Sequence, residues 1–192
     1  LLYIEKATIL AAIEEDKSFT DRGIHIVKAM GFSTRDVNKV IALAERLKVP
    51  ILTLTDFDAS GVLIDLKIKE AGIKSARLGV DLELVERLGL RIEDVREPMP
   101  RDPQKLTHFK YLQREFPGLA KIFVEVIGDG VNPYRIEIDA VHALAGNERF
   151  IEAVLERADR VVPVKPVQKA LAFRRVPGKV DELRWTIHSV LD

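Results

Sequence analysis

Four short segments, Leu1 to Ile4, Ile24 to Val27, Ile51 to Thr55 and Ser75 to Val80, are separated by stretches whose apolar residues recur at helical spacing. The first three are apolar almost throughout rather than alternating, so a strand formed there buries both faces. That combination predicts a parallel sheet covered by helices on its two sides. Between the segments, the helical stretches run from Ala7 to Glu15, through Val37, Val40, Ile41, Ala44 and Leu47, and from Ser60 to about Glu70. Ser33 takes the N-cap position of the second, and Pro50 ends it before the Ile51 strand.

The second half is less regular. Asp81 caps a predicted helix through Leu88, residues 98 to 103 form a loop, and Pro103 to Phe116 reads as helix. The β-branched content of Lys121 to Ile127 predicts a late strand, Gly128-Asp129-Gly130 a turn, and Tyr134 to Leu144 and Asn147 to Ala158 two helices. Pro163 and Pro166 mark a linker before a last helical stretch, where Trp185 packs the helix down. This reading divides the chain into an α/β domain at 1–145, with a core at 1–80 and a variable part at 81–145, and a mainly helical C-terminal extension at 146–192.

In a parallel sheet, ligands bind beyond the carboxyl ends of the strands. Glu5 closes the first strand and Asp56 the third, and Asp58 follows two residues on, pointing the same way in an extended segment. Three acids in one crevice repel one another unless a cation or a proton intervenes. The chain has no cysteine and only four scattered histidines, so a zinc site lacks ligands and any metal rests on carboxylates. Mg²⁺ suits such a site, because it takes one or two carboxylates and completes its shell with water and phosphate oxygens. Ser60-Gly61 lets backbone approach a phosphate at a helix start. An isolated aspartate after a strand ordinarily caps a helix, and an isolated glutamate there lies on the surface; the combination is what points to phosphate-ester chemistry.

Charge is balanced at 30 basic against 30 acidic residues, so a nucleic-acid partner would need a local basic patch. Arg160 to Lys179 supplies one, carrying Lys165, Lys169, Arg174 and Arg175 with no acid among them, although such a run also suits a solvated helix face. Asn and Gln number three each, a scarcity that with absent cysteine suggests a thermophile source. No apolar run reaches the ~20 residues of a membrane span, and the start has no signal-peptide pattern, so a soluble, cytoplasmic protein is expected. The start at Leu1 reads as a fragment of something longer.

Three stretches together carry a resemblance. Tyr3-Ile4-Glu5-Lys6, Lys28-Ala29-Met30-Gly31-Phe32-Ser33-Thr34-Arg35 and Val49 to Gly61 resemble the Toprim domain found in the A subunits of DNA topoisomerase VI and in its meiotic double-strand-break relative. Arg135-Ile136-Glu137-Ile138-Asp139-Ala140-Val141 is similar to a later segment of that family. The resemblance implies a Toprim, Rossmann-like fold in which Glu5 and Asp56 bind Mg²⁺, Asp58 ligates or supports the site, and Glu5 acts as general acid/base. It implies that Lys28 and Arg35 meet DNA phosphates, against the plainer reading of a solvated loop lysine and a helix-surface arginine. Glu137 is expected to serve in packing or a salt bridge.

Members of that family cut DNA with a tyrosine on a winged-helix domain and work as paired A subunits beside an ATPase B-type subunit. Tyr3, Tyr111 and Tyr134 match no such nucleophile. The expectation is a domain that holds metal and positions DNA as a homodimer, with the tyrosine on a separate domain or polypeptide. A stand-alone nuclease using metal-activated water, and a non-catalytic DNA- or partner-binding module, are the alternatives. A further resemblance is to haloacid-dehalogenase-like phosphatases, with Asp56 as nucleophile, Asp58 as acid/base and Gly128-Asp129-Gly130-Val131-Asn132 as metal motif; Pro133 stands where its second acid belongs.

Overall fold

The computed structural model describes residues 1–28 and 34–161. Its first half follows the expected alternation. Strand β1 (Leu2–Ile4) leads to helices α1 (Ala7–Glu14) and α2 (Ser18–Asp21), then β2 (Ile26–Lys28), α3 (Thr34–Leu47), β3 (Ile51–Leu54), α4 (Ala59–Glu70) and β4 (Ser75–Gly79). The strands form one parallel sheet in the order β2-β1-β3-β4, so β1 and β3, which carry the candidate acids, are the central neighbours. The Toprim α/β architecture expected from the sequence is thus present, with a helical region following it.

Alternation along the strands distributes the core. Leu2, Ile4, Leu52 and Leu54 face the larger apolar cluster, whereas Tyr3 and Ile51 join Val37, Val40, Ile41 and Ala44 of α3 and Ile64 and Ile68 of α4. Neighbouring residues of one strand therefore serve opposite layers, which is why no polar alternation marks these strands.

Helices α5 (Leu82–Arg87) and α6 (Ile92–Val95) follow, then β5 (Arg96–Pro98), α7 (Pro103–Glu115) and α8 (Pro117–Lys121). Asp81 caps α5 as expected, its carboxylate accepting the N–H of Leu84 at 2.9 Å. After β6 (Tyr134–Ile136) come α9 (Ile138–Ala145) and α10 (Asn147–Val161). Phe150, Ile151, Val154 and Leu155 of α10 belong to the large core cluster.

Two expectations are corrected. Residues 121–127 are not a strand: α8 runs into a π-helical turn at Ile122–Val126. Of that run, only Phe123 and Ile127 are buried, four positions apart, so burial is helical although the composition is β-branched. Tyr134–Ile136 does not open a helix but pairs antiparallel with Arg96–Pro98. Arg135 meets Glu97 across the pair at 2.5 Å, and the Arg96 guanidinium lies 5.0 Å from the Tyr134 ring centroid. Such cross-strand contacts select the strand, and their partner lies far away in sequence. The Ser33 cap, the linker prolines and Trp185 lie outside the described residues.

Candidate metal and phosphate site

Beyond β1 and β3 the chain buries three carboxylates: Glu5 is 7% exposed, Asp56 2% and Asp58 1%. Asp56 is held from several directions. Its N–H donates to Glu5 Oε2 at 3.3 Å, its Oδ1 accepts the N–H of Ile138 at 2.9 Å, and Lys6 Nζ lies 3.4 Å from its Oδ2. Its main-chain carbonyl accepts from Arg77 Nη2 at 2.6 Å. Phe57 exchanges two backbone hydrogen bonds with Ile136, at 2.9 and 3.2 Å, which anchors the Asp56-Phe57-Asp58 segment to β6.

Asp58 does cap a helix: its Oδ1 accepts the N–H of Gly61 at 2.8 Å, at the start of α4. Its Oδ2 is met by Lys105 Nζ of α7 at 2.5 Å. One turn on, His108 Nδ1 is 2.8 Å from Oγ of buried Ser60. Gly61 itself approaches its own chain: a Cβ there would lie 2.1 Å from the Asp56 carbonyl oxygen and 2.9 Å from Thr55 Oγ1. The close approach inferred from this glycine is therefore at least in part a helix-to-strand contact. Thr55 Oγ1 is buried without a hydrogen-bond partner among the described residues.

Electrostatics follow from this crowding. Burial first, then the charges of Asp56 and Asp58, push the Glu5 carboxyl up to about 7, against the pull of Lys105. Asp56 is also raised, by burial above all, with the Ile138 N–H and Lys6 pulling the other way. Burial lowers Lys6, but Asp56, Glu137 and Asp139 outweigh it and its affinity for a proton rises. His108 is lowered by burial and by the Lys105 ammonium.

Glu137 takes the expected ion-pair role, lying 3.5 Å from Lys6 and 2.6 Å from Arg135. Arg35 is exposed in the first turn of α3. Lys28 ends β2, and its side chain, like Lys165, Lys169, Arg174 and Arg175, lies outside what the structure describes. Asp129 spends its carboxylate on its own turn, accepting from Val131 N–H, Asn132 N–H and Asn132 Nδ2 at 2.9, 2.7 and 3.0 Å. That is an Asx-type turn.

Sequence reasoning missed Lys105, Arg77 and His108. Their signal is tertiary, since α7 and β4 reach the site only through packing; Lys6, adjacent to Glu5, was within the quoted motif and could have been found there.

The donors fit a hard divalent cation in kind. They are all oxygens, they are buried at strand ends, and two ammonium groups already supply the positive charge that they require. Among the described residues, no three acidic or histidine side chains form a ready-made cage, so an ion would have to share or take over carboxylate oxygens that ammonium groups now engage.

A four-stranded parallel sheet flanked by helices, with acids buried at the ends of its central strands, defines a Toprim-type domain. Residues 1–115 match the Toprim domain family of the topoisomerase 6 A-subunit/Spo11 proteins. The match spans more than half of the 192 residues, and the chain belongs to that family, which carries topoisomerase VI A-like function in general. A comparison with curated proteins returned no match. Among the described residues, no helix is long and apolar enough to cross a membrane.

Proposed function

We propose that the chain is an Mg²⁺-dependent Toprim domain that acts on DNA phosphodiester bonds, in cleavage and religation with a nucleophilic tyrosine supplied from outside residues 1–161. The observation that carries this reading is the burial of Glu5, Asp56 and Asp58 together beyond adjacent parallel strands, with Glu5 pushed up to about 7. In it, Glu5, Asp56 and Asp58 would hold the ion, which when bound would supply Lewis-acid polarisation of a phosphodiester oxygen. While no ion is bound, Glu5 holds or releases a proton near neutral pH, the range in which a general acid/base is effective. Lys6 and the Ile138 N–H orient Asp56. Lys28 and Arg35, with Lys165, Lys169, Arg174 and Arg175, meet the DNA backbone as point charges.

The tyrosines support an external nucleophile. Tyr3 is fully buried in β1, where burial and the nearby Glu5 and Asp36 raise its hydroxyl well above the usual range. Tyr134 lies in β6 against Arg96, and Tyr111 is 41% exposed on α7 with Arg114 against its ring. The reading places the chain at the nucleoid as a homodimer beside an ATPase B-type subunit.

The test is Mn²⁺ binding by the full chain, followed by calorimetry, together with duplex DNA cleavage when a tyrosine-bearing family domain is added. Ion binding that is lost in Glu5→Gln and Asp56→Asn supports the reading. Unchanged ion binding in both variants overturns it, and Mg²⁺-dependent cleavage by the chain alone replaces it with the nuclease.

A further inference from the structure

Lys6 and Lys105 both neutralise site carboxylates, but they are held differently. Lys6 Nζ sits among three acids, Asp56, Glu137 and Asp139, at 3.4, 3.5 and 3.4 Å. Were an ion to occupy Asp56, two carboxylates would still hold that ammonium. Lys105 forms an ion pair with Asp58 alone among the described residues, at 2.5 Å, and its side chain is about a quarter exposed, at 24%. It stands in the first turn of α7, directly after the exposed stretch 101–104. Its partner Asp58 is buried and uses its other oxygen on the Gly61 N–H. Leaving Asp58 without a counter-charge would be costly, so that oxygen is occupied by one cation or another.

We propose that Lys105 is the exchangeable counter-cation of the site. It neutralises Asp58 while no divalent ion is bound and competes with the ion for that carboxylate, so it sets the ion concentration at which the site loads. Lys6, in contrast, is a permanent member of the site. The proposal rests on the metal-binding reading above and adds to it a residue that opposes loading.

The first experiment measures Mn²⁺ affinity of the 192-residue chain and of Lys105→Met by calorimetry at one ionic strength. The expected result is binding about tenfold tighter in the variant, because the fraction of sites closed by the ammonium is removed. A purely structural lysine predicts the opposite, since its loss would loosen the site and weaken binding. Equal or weaker affinity in Lys105→Met, with the wild type binding normally, overturns the competition but leaves the metal site intact. No binding in either protein overturns both.

A second measurement needs no variant and decides the matter if Lys105→Met does not fold. Acetylation of Lys105 in the wild-type chain by an amine-reactive ester, read by peptide mass spectrometry, is expected to speed up severalfold on adding Mn²⁺, while Lys39 on α3 labels at an unchanged rate. A Lys105 rate indifferent to Mn²⁺ overturns the proposal.

Discussion

The Oδ1 atom of Asp56 accepts the backbone N–H of Ile138 at 2.9 Å, across 82 positions of chain. A site carboxylate thus satisfies one of the free donors at the start of α9, where a negative charge also suits the helix dipole. Asp56 has two functions that substitution can separate. Asp56→Ala leaves that buried N–H unpaired and Lys6 without one of its acids, and is expected to cost about 1–3 kcal/mol of stability. Asp56→Asn keeps an acceptor for Ile138 and removes a carboxylate whose charge burial disfavours, so it is expected to unfold close to wild type or later. Urea denaturation of the two variants beside wild type makes the comparison; equal losses in both would show that the Ile138 contact carries no weight.

Asp81 ties the middle of the chain to the last described helix. It caps α5 and forms a two-pronged pair with Arg157 of α10 at 2.6 and 2.7 Å. Burial works to raise its carboxyl, but the Arg157 bonds and the Leu84 N–H overcome this and hold it below the ordinary value. A carboxyl lowered on folding contributes stability above its unfolded pKa of about 4 and loses it as pH falls through the folded value. Asp81→Ala is expected to cost about 2–4 kcal/mol at pH 7, with the difference from wild type shrinking below about pH 4. Thermal unfolding at a series of pH values reads both.

The sheet and its acids were legible because each rests on local signals. Apolar runs bounded by Pro50 or by acids mark the strands, and Glu5, Asp56 and Asp58 follow closely on strand ends. What was not legible depends on partners distant in sequence. Tyr134–Ile136 becomes a strand only because Arg96–Pro98 lies beside it, and Lys105 reaches Asp58 across 47 positions. Residues 122–126 misled in another way: Ile, Val and Phe dominate, yet the burial of Phe123 and Ile127 has helical spacing. The run is apolar at every position but Glu125, so its sequence carries no helical period, and only packing selects which residues are buried.

Gly61 reverses an ordinary expectation. Inside a helix, Gly→Ala usually stabilises by up to about 1 kcal/mol. Here the added Cβ would meet the Asp56 carbonyl oxygen at 2.1 Å, and that atom is backbone at a strand end already bonded to Arg77. Gly61→Ala is expected to destabilise by about 1–3 kcal/mol, with a lower midpoint in thermal unfolding, and to weaken Mn²⁺ binding by displacing Asp56 and Asp58. Gly118→Ala, where a Cβ would meet nothing within 4 Å, is the control.

Glu5 ties stability to pH. Its carboxyl is raised from 4.5 to about 7 in the fold, so between those values the native state holds a proton that the unfolded chain has released. The contribution of Glu5 is therefore most favourable below about pH 4.5, is lost progressively as pH rises to about 7, and does not return above it. Glu5→Gln cannot ionise and escapes this loss. It is expected to match wild type near pH 4.5 and to exceed it by about 1–3 kcal/mol at pH 8, the gain developing across the interval between. On the proposed reading, divalent ion is expected to reverse the order, by stabilising the ionised wild-type site and finding nothing comparable to bind in the variant. Denaturation at pH 5 and pH 8, each with and without Mn²⁺, gives four comparisons; a Glu5→Gln advantage equal at both pH values without ion would show that Glu5 titrates in the fold as it does in the unfolded chain.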